Sequence, residues 1–316
     1  MNLKHTSLIL ASLTSIILAG CGAPVQTTVN AGRGLSSTFS LKGAITGTKR
    51  AFLVGINKYQ LPGNNLQGCV NDIEDVKAQV LNKEGFSAAN ISSLTDKKAT
   101  RNAILEGLKK LVADGKPGDF LYFHYSGHGA QIPDTNGDET DGQDEILCPT
   151  DLAVSNNTLT NAVVDDEIQT ILGNLKPGVG FLMVADSCHS GTIDRSIGFS
   201  RKGNIRTMQL PRGLRNGTPM LYNRTLQNAF KANVSAGKYV IISGCQDDQT
   251  SADANINNRY NGAATYYFLD AYKKGGANQT WSDLHKQMVA GLTANNYEQR
   301  PNLTGPGNVK IFTIPE

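Results

Sequence analysis

The chain has 316 residues, 39% of them hydrophobic and 18% charged, a balance that suits a globular protein and is too polar for a multi-span membrane protein. Its 30 lysines and arginines against 27 acids leave a formal charge of +3, too small an excess to argue for a nucleic-acid partner. No repeat at a fixed period is evident.

The first twenty residues read as a leader rather than as part of a fold. Lys4 gives a basic start, Leu8 to Leu18 is apolar, and Ala19 and Gly20 precede Cys21, the layout of a secretory signal. The apolar stretch is shorter than the roughly 20 residues that span a bilayer. "LAGC" resembles the bacterial lipobox, whose cysteine is lipidated and becomes the first mature residue. Residues 1–20 are therefore expected to be a signal peptide, Cys21 the lipidation site, and the Gly-, Ser- and Thr-rich stretch up to residue 48 a flexible tether. The protein is then expected to be exported and lipid-anchored in a bacterial cell envelope. Gly22, rather than Asp, follows Cys21, which points to the outer membrane or periplasmic side. Cys69, Cys148, Cys188 and Cys245 remain. Their wide spacing suits neither a zinc knuckle nor a disulfide framework, so in an oxidising compartment they are expected to be buried or used.

In chain order, "RAFLVGINKY" (50–59) reads as a buried strand ending in a turn. "GCVNDIEDVKAQVLNK" follows as a helix with Val70, Ile73, Val76 and Val80 as its apolar stripe. "NISSLTD" is a short strand. "TRNAILEGLKKLVADG" is a second helix, capped by Thr100, faced by Ile104, Leu105, Leu108, Leu111 and Val112, and ended by Gly115. "GDFLYFHYSGHG" is a strand entering a glycine-rich turn, "DEILCPTD" a short strand, and "DDEIQTILGNL" a helix with acids in its first turn. "GVGFLMVADSC" is a strand whose end carries Cys188. A long segment, 195–237, then breaks the pattern: from Arg195 to Gln246 there are nine lysines and arginines and no acid. A loop this long in a compact domain is more often functional than not. "GKYVIISGCQ" resumes as a strand, "GAATYYFLDAYKK" and "WSDLHKQMVAGL" are helices, and "NVKIFTI" is expected to be a last strand.

Strands alternating with helices predict an α/β fold, a mostly parallel sheet flanked by helices on both faces. Ligands of such sheets bind beyond the carboxyl ends of the strands. "HYSGH" and "DSCHS" both lie at such ends, so His128 and Cys188 can be neighbours in space. A cysteine beside a histidine makes a thiolate nucleophile with a general base, and the N–H groups of Gly129 and Cys188 are candidates for an oxyanion hole. Taken alone, a buried structural thiol explains Cys188 as well. A metal site of His124, His128, Cys188 and His189 is disfavoured, because strand alternation sends His124 to the core and no compact ligand pair is present. "DTNGDETDGQDE" (134–145) holds six acids and no base. It is not an EF-hand loop, since Glu139 occupies the place of the obligatory glycine.

"FHYSGHGAQ", "DGQDEILCPTD", "DDEI", "DSCHSGT", "ISGCQDDQTSADA" and "RPNLTGPG" together resemble the motifs of the metacaspases, cysteine peptidases of the caspase fold. Asp186 and Ser187 stand where true caspases have Gln and Ala. The resemblance implies one caspase-like α/β/α domain over 49–316, with a large portion (49–194), the basic linker (195–237) and a small portion (238–316). It implies His128 as catalytic histidine and Cys188 as nucleophile. An acidic pocket of Cys69, Asp72, Ser126 and Asp186 would accept Arg or Lys before the cleaved bond. It also implies calcium, held by Asp144, Asp165 and Asp166, with Asp194 one residue out of step as the fourth ligand. The expected partners are protein or peptide substrates and, through the lipid anchor, a membrane, with the chain working as a monomer. A peptidase of this specificity could process itself, and Arg195, Arg201, Lys202, Arg206, Arg212 and Arg215 are candidate sites. The rival reading is a catalytically silent envelope lipoprotein that uses the same fold as a binding module.

Overall fold

The computed structural model describes residues 43–133, 143–155, 158–188, 203–208, 210, 239–246 and 249–314. In chain order the strands are β1 (Lys49–Gly55), β2 (Ile91–Thr95), β3 (Phe120–Ser126), β4 (Gly129–Pro133), β5 (Gln143–Leu147), β6 (Ala153–Ser155), β7 (Thr158–Thr160), β8 (Val163–Val164), β9 (Gly180–Asp186), β10 (Asn204–Ile205), β11 (Tyr239–Ser243), β12 (Ala252–Ile256), β13 (Arg259–Gly262) and β14 (Asn302–Thr304). The helices are α1 (Cys69–Val76), which continues into a π-helical turn (Lys77–Leu81), α2 (Arg101–Asp114), α3 (Asp165–Leu172), α4 (Ala263–Gly275) and α5 (Trp281–Ala294).

Six strands form the central sheet in the order β14-β11-β9-β3-β1-β2. All pairings are parallel except that of the edge strand β14 with β11. Every residue of β3 and β9 is buried, as their unbroken apolar runs require of strands covered on both faces. Alternation then sorts their side chains. Phe52, Val54, Leu121, Phe123, Phe181 and Met183 join the core formed with α2 and α3. Leu53, Phe120, Tyr122, Leu182 and Val184 join the core formed with the π-helical turn, α4 and α5. The sheet is thus the middle of three layers. Ahead of β1 the chain is tied down: Gly47 N–H donates to the Gly118 carbonyl at 2.8 Å, and the Gly43 carbonyl accepts from Ile314 N–H at 2.9 Å.

Two expectations are corrected. The inward face of α1 is Cys69, Asp72, Ile73 and Val76, with Val70 only half buried. The helix is rotated so that the Asp72 carboxylate, rather than Val70, points into the molecule. "NVKIFTI" is not a strand; β14 lies earlier, and Lys310 makes only an isolated bridge to Thr280. Phe312 has φ +52°, which ends extended pairing. Its ring instead plugs an aromatic cluster of Phe86, Phe120, Tyr272 and Trp281.

Outside the central sheet, β4, β5 and β8 form one small antiparallel sheet, and β10, β12 and β13 another. Both bear on the carboxyl ends of the central strands.

Candidate active site

The parallel pairing of β3 with β9 places Ser126 opposite Asp186, and Gly127 N–H donates to the Asp186 carbonyl at 3.3 Å. His128 and Cys188 therefore each stand two residues beyond a matched pair, at the same end of adjacent central strands. Both are buried.

His128 is fixed on every side but one. Its Nε2 lies 2.7 Å from the Asn64 carbonyl. A carbonyl only accepts, so Nε2 carries the proton and Nδ1 the lone pair. Nδ1 is buried with no hydrogen-bond partner among the described residues. The backbone N–H of His128 donates to the Tyr59 hydroxyl at 2.8 Å, and the two rings are 4.8 Å apart. The Tyr125 hydroxyl donates to the His128 carbonyl at 2.7 Å. The glycine before the histidine is needed for this packing: a Cβ on Gly127 would come within 2.6 Å of the Tyr125 hydroxyl and 2.7 Å of the Tyr59 hydroxyl. Burial pushes the His128 pKa down to about 4, opposed in part by the Asn64 carbonyl. The imidazole is therefore neutral at pH 7 and available as a base.

The Cys188 thiol lies 2.6 Å from the Gln249 carbonyl. Cys69, Cys148 and Cys245 are likewise buried. Burial pushes the thiols of Cys69 and Cys148 up, which keeps them protonated and inert.

Beneath this pair is an acidic pocket, and the chain fills it with its own arginine. Arg206 is completely buried, as are Asp72, Asp186, Asp253 and Ser126. Its Nη2 donates to Asp72 Oδ2 at 2.8 Å and to Asp253 Oδ1 at 3.0 Å. Its Nη1 donates to Ser126 Oγ at 2.7 Å and lies 3.4 Å from Asp186 Oδ1. Burial alone would lower the guanidinium pKa, but the carboxylates of Asp186, Asp72 and Asp253 hold it well above its ordinary value. Cys69, Asp72, Ser126 and Asp186 are thus gathered at one place, as the sequence resemblance implies.

Each carboxylate is supported from a different element. Asp186 accepts from Thr265 N–H at 2.7 Å and the Thr265 hydroxyl at 2.8 Å, at the start of α4, and from the Ser251 hydroxyl at 2.7 Å. The helix N-terminus there favours the negative charge. Asp72 accepts from the Ser126 hydroxyl at 2.6 Å, Asn261 Nδ2 at 3.0 Å and Gly262 N–H at 3.0 Å. Burial still raises its pKa to about 6, against the lowering effect of Arg206. Asp253 accepts from Gly68 N–H at 2.9 Å and Gln67 N–H at 2.8 Å. A Cβ on Gly262 would strike the Asp186 carboxylate and the Arg206 guanidinium.

Sequence reasoning missed Asp253 as the third carboxylate. The signal was present in "SADANI": one acid among small and apolar residues of a strand. It also did not single out Arg206 from the other bases of the linker.

Gly129 N–H donates to the Arg206 carbonyl at 3.0 Å, so one proposed oxyanion donor already faces a peptide carbonyl. His124, assigned to the core, is fully buried and bonds the Tyr122 hydroxyl at 2.8 Å.

The acids proposed for calcium lie apart from the pocket. Asp144 is on β5, and Asp165 and Asp166 open α3; Ile146 of β5 pairs with Val164 just before α3. Asp165 Oδ1 is buried without a hydrogen-bond partner among the described residues. Its pKa is raised to about 8, first by burial and then by Glu145, Asp166 and Asp144. Among the described residues no three acids are gathered as a ready metal site. Asp194, His189, Cys21, most of the acidic loop and the other candidate cleavage sites Arg195, Arg201, Lys202, Arg212 and Arg215 lie outside the described residues.

A buried cysteine and histidine at adjacent strand ends of a three-layer α/β fold define a cysteine peptidase of the caspase type. Residues 49–195 match the family description "Metacaspase, peptidase C14 domain". The chain is 33% identical to Metacaspase-1A of Aspergillus oryzae, over 89% of this chain and 73% of that protein. It is 32% identical to Metacaspase-1 of Scheffersomyces stipitis, over 82% and 71%. Among solved structures it is similar to a structural-genomics protein of Geobacter sulfurreducens, with a TM-score of 0.63 and 29% identity over 85% of this chain and all of that one. It shares its fold with Caspase-1 from Spodoptera frugiperda, with a TM-score of 0.52 and 11% identity over 84% of this chain and 88% of that one. The chain belongs to the metacaspases and is a cysteine-type peptidase.

Proposed function

We propose that this peptidase cleaves after arginine or lysine, with Cys188 as nucleophile and His128 as general base. The observation that carries the specificity is the pocket of Asp72, Asp186 and Asp253 closed around a guanidinium. Three buried carboxylates favour a cation and repel an acidic side chain. The two-sided contact of a planar fork suits Arg better than Lys. In the reaction, the Cys188 thiol gives its proton to His128 Nδ1 and the sulfur adds to the carbonyl carbon. The oxyanion points to Gly129 N–H. The leaving amine takes the proton back from His128, and water then hydrolyses the thioester. The test is a pair of fluorogenic peptides differing only in Arg or Asp before the reporter: turnover of the Arg peptide alone supports the assignment, and equal turnover of both removes it.

Calcium fits the second site in donor chemistry. The Asp165 oxygen, without a hydrogen-bond partner among the described residues, and the neighbouring Asp144 and Asp166 offer a hard cation the oxygen ligands it prefers. Bound there, it would supply positive charge to carboxylates that otherwise repel one another. Attachment to the envelope through a lipid on Cys21 is part of the same proposal. No helix among the described residues is long and apolar enough to cross a membrane. Metabolic labelling with a fatty acid should mark the chain and fail to mark Cys21→Ala.

A further inference from the structure

Asp186 is held by two hydroxyls, and each of them is itself held from behind. Asp186 Oδ2 accepts from Thr265 N–H at 2.7 Å and from the Thr265 hydroxyl at 2.8 Å. Oδ1 accepts from the Ser251 hydroxyl at 2.7 Å and lies 3.4 Å from Arg206 Nη1. A carboxylate offers about four lone-pair sites. The protein's own frame takes three, and the fourth faces the guanidinium. A backbone N–H has a fixed direction, but a hydroxyl hydrogen rotates. Ser251 and Thr265 serve Asp186 only while their hydrogens point at it.

Behind Ser251 stands Gln299, which is buried. Its Nε2 donates to the Gly244 carbonyl at 2.9 Å and to Ser251 Oγ at 3.2 Å, and its Oε1 accepts from Ala252 N–H at 3.0 Å. A carbonyl only accepts and an N–H only donates, so this amide has one orientation. Behind Thr265 stands His124, also buried. Its Nδ1 lies 2.8 Å from the Tyr122 hydroxyl and its Nε2 3.4 Å from Thr265 Oγ1. The Thr265 hydrogen is already given to Asp186, so Nε2 is the donor and Nδ1 accepts from Tyr122. Burial keeps both groups in the neutral forms this needs, pushing the Tyr122 phenol up and the His124 imidazole down to about 4. Each hydroxyl thus receives a hydrogen on its oxygen and gives its own to Asp186.

We infer that His124 and Gln299 are positioning residues for substrate recognition, which act through Thr265 and Ser251 to aim Asp186 at the positive side chain before the cleaved bond. The inference rests on the Arg/Lys-peptidase reading above. The two relays reach Asp186 from different elements: His124 lies on β3 and Thr265 on α4, while Ser251 precedes β12 and Gln299 precedes β14. Together they hold both oxygens, so the carboxylate cannot swing away from the one direction a cation approaches. Without His124, the Thr265 hydroxyl is at liberty to turn, and Asp186 loses a hydrogen bond of the strong, charge-assisted kind. The loss falls on recognition of the charge and not on the chemistry at Cys188.

The test uses the full chain and two peptides that carry Arg or its uncharged counterpart citrulline before the reporter. The readout is the ratio of kcat/KM for the two. Both peptides meet the same Arg206 in the pocket, so the ratio isolates recognition of the charge. His124→Phe keeps a ring and removes the donor. It should lower the preference for Arg about ten-fold, as loss of a hydrogen bond to a charged group implies. A merely structural lesion lowers turnover of both peptides alike and leaves the ratio where it was. His124→Gln, whose amide can donate from the same place, should recover most of the preference. In a Thr265→Val background, His124→Phe should change the ratio no further, since a residue acting through Thr265 has nothing left to act on. Gln299→Met and Ser251→Ala form a second, independent cycle with the same expectation, and it decides the matter if His124→Phe does not fold. An unchanged ratio in His124→Phe and Gln299→Met, or a His124→Phe effect that persists in full without the Thr265 hydroxyl, would overturn the inference while leaving the Arg specificity intact. A wild type that cuts both peptides equally would instead sink the specificity reading, and this inference with it.

Discussion

What surrounds His128 suits it to the role of base proposed for it. The Asn64 carbonyl sets the tautomer, the Tyr59 and Tyr125 hydroxyls hold the backbone, and burial keeps the ring neutral. His128→Asn should lower kcat for an Arg peptide by about 10²–10⁴-fold, the usual contribution of a positioned base, with KM little changed. Cys188→Ala should remove activity altogether. Asp253→Asn should lower kcat/KM for Arg peptides by about 2–5 kcal/mol, the cost of breaking a buried charge pair from one side. A variant with unchanged efficiency would remove Asp253 from the pocket's function. Asp72 makes the pocket sensitive to acid. Its folded pKa, raised to about 6, lies above the unfolded value, so the native state holds this proton more tightly. The stability it contributes is present at low pH and is lost as pH rises through about 6, whereas recognition of a cation needs the ionised form. Turnover of Arg peptides should therefore fall as pH drops from 7 to 5, with a limb near 6 that Asp72→Asn abolishes. A flat profile across that range contradicts the assignment. Cys188, His128, Asp72 and Asp186 were legible because each sits in a local motif. Asp253 sits in one too, but its partners Gly68 and Arg206 come from far along the chain, and no local pattern announces them.

The helices and central strands were legible from periodicity and caps. Thr100 caps α2 by accepting from Ala103 N–H, and Thr280 with Asp283 forms a capping box on α5. Thr280→Ala should cost about 1 kcal/mol, read as a drop in melting temperature with unaltered Arg-peptide kinetics. The two misread elements fail for a common reason: periodicity shows that a face is apolar, not what the tertiary contacts ask of it. In α1 the pocket claims Asp72 for the inner face. At the C-terminus the aromatic cluster claims Phe312, and no strand forms there. Gly127 and Gly262 are equally invisible locally, because their lack of a Cβ answers to the hydroxyls and carboxylates of other elements. Gly262→Ala should impair Arg-peptide binding through KM by displacing Asp186. An unaltered KM would show that the carboxylate can move without consequence.

At the scale of the molecule, one mostly parallel sheet gathers the carboxyl ends of β1, β3, β9 and β11 to one edge, and the two three-stranded sheets are hung there. That much follows from alternating strands and helices. Which of the many bases between Arg195 and Lys238 enters the pocket does not, since Arg206 meets Asp72 across 134 residues of sequence. The calcium proposal also belongs to this scale, for Asp165 is linked to the catalytic end through β8, β5, β4 and Gly129. Asp165→Asn should weaken or abolish any calcium stimulation of Arg-peptide turnover. Stimulation identical to that of the wild type would leave these acids structural.

The most direct measurement compares kcat/KM for otherwise identical peptides carrying Arg, Lys or Asp before the scissile bond. It uses the chain from Gly43 onward and its Cys188→Ala variant, with calcium supplied. The account predicts efficient cleavage of the Arg peptide, weaker cleavage of the Lys peptide, none of the Asp peptide, and no activity in the variant. Comparable cleavage of the Asp peptide, or turnover that survives the loss of Cys188, would contradict it.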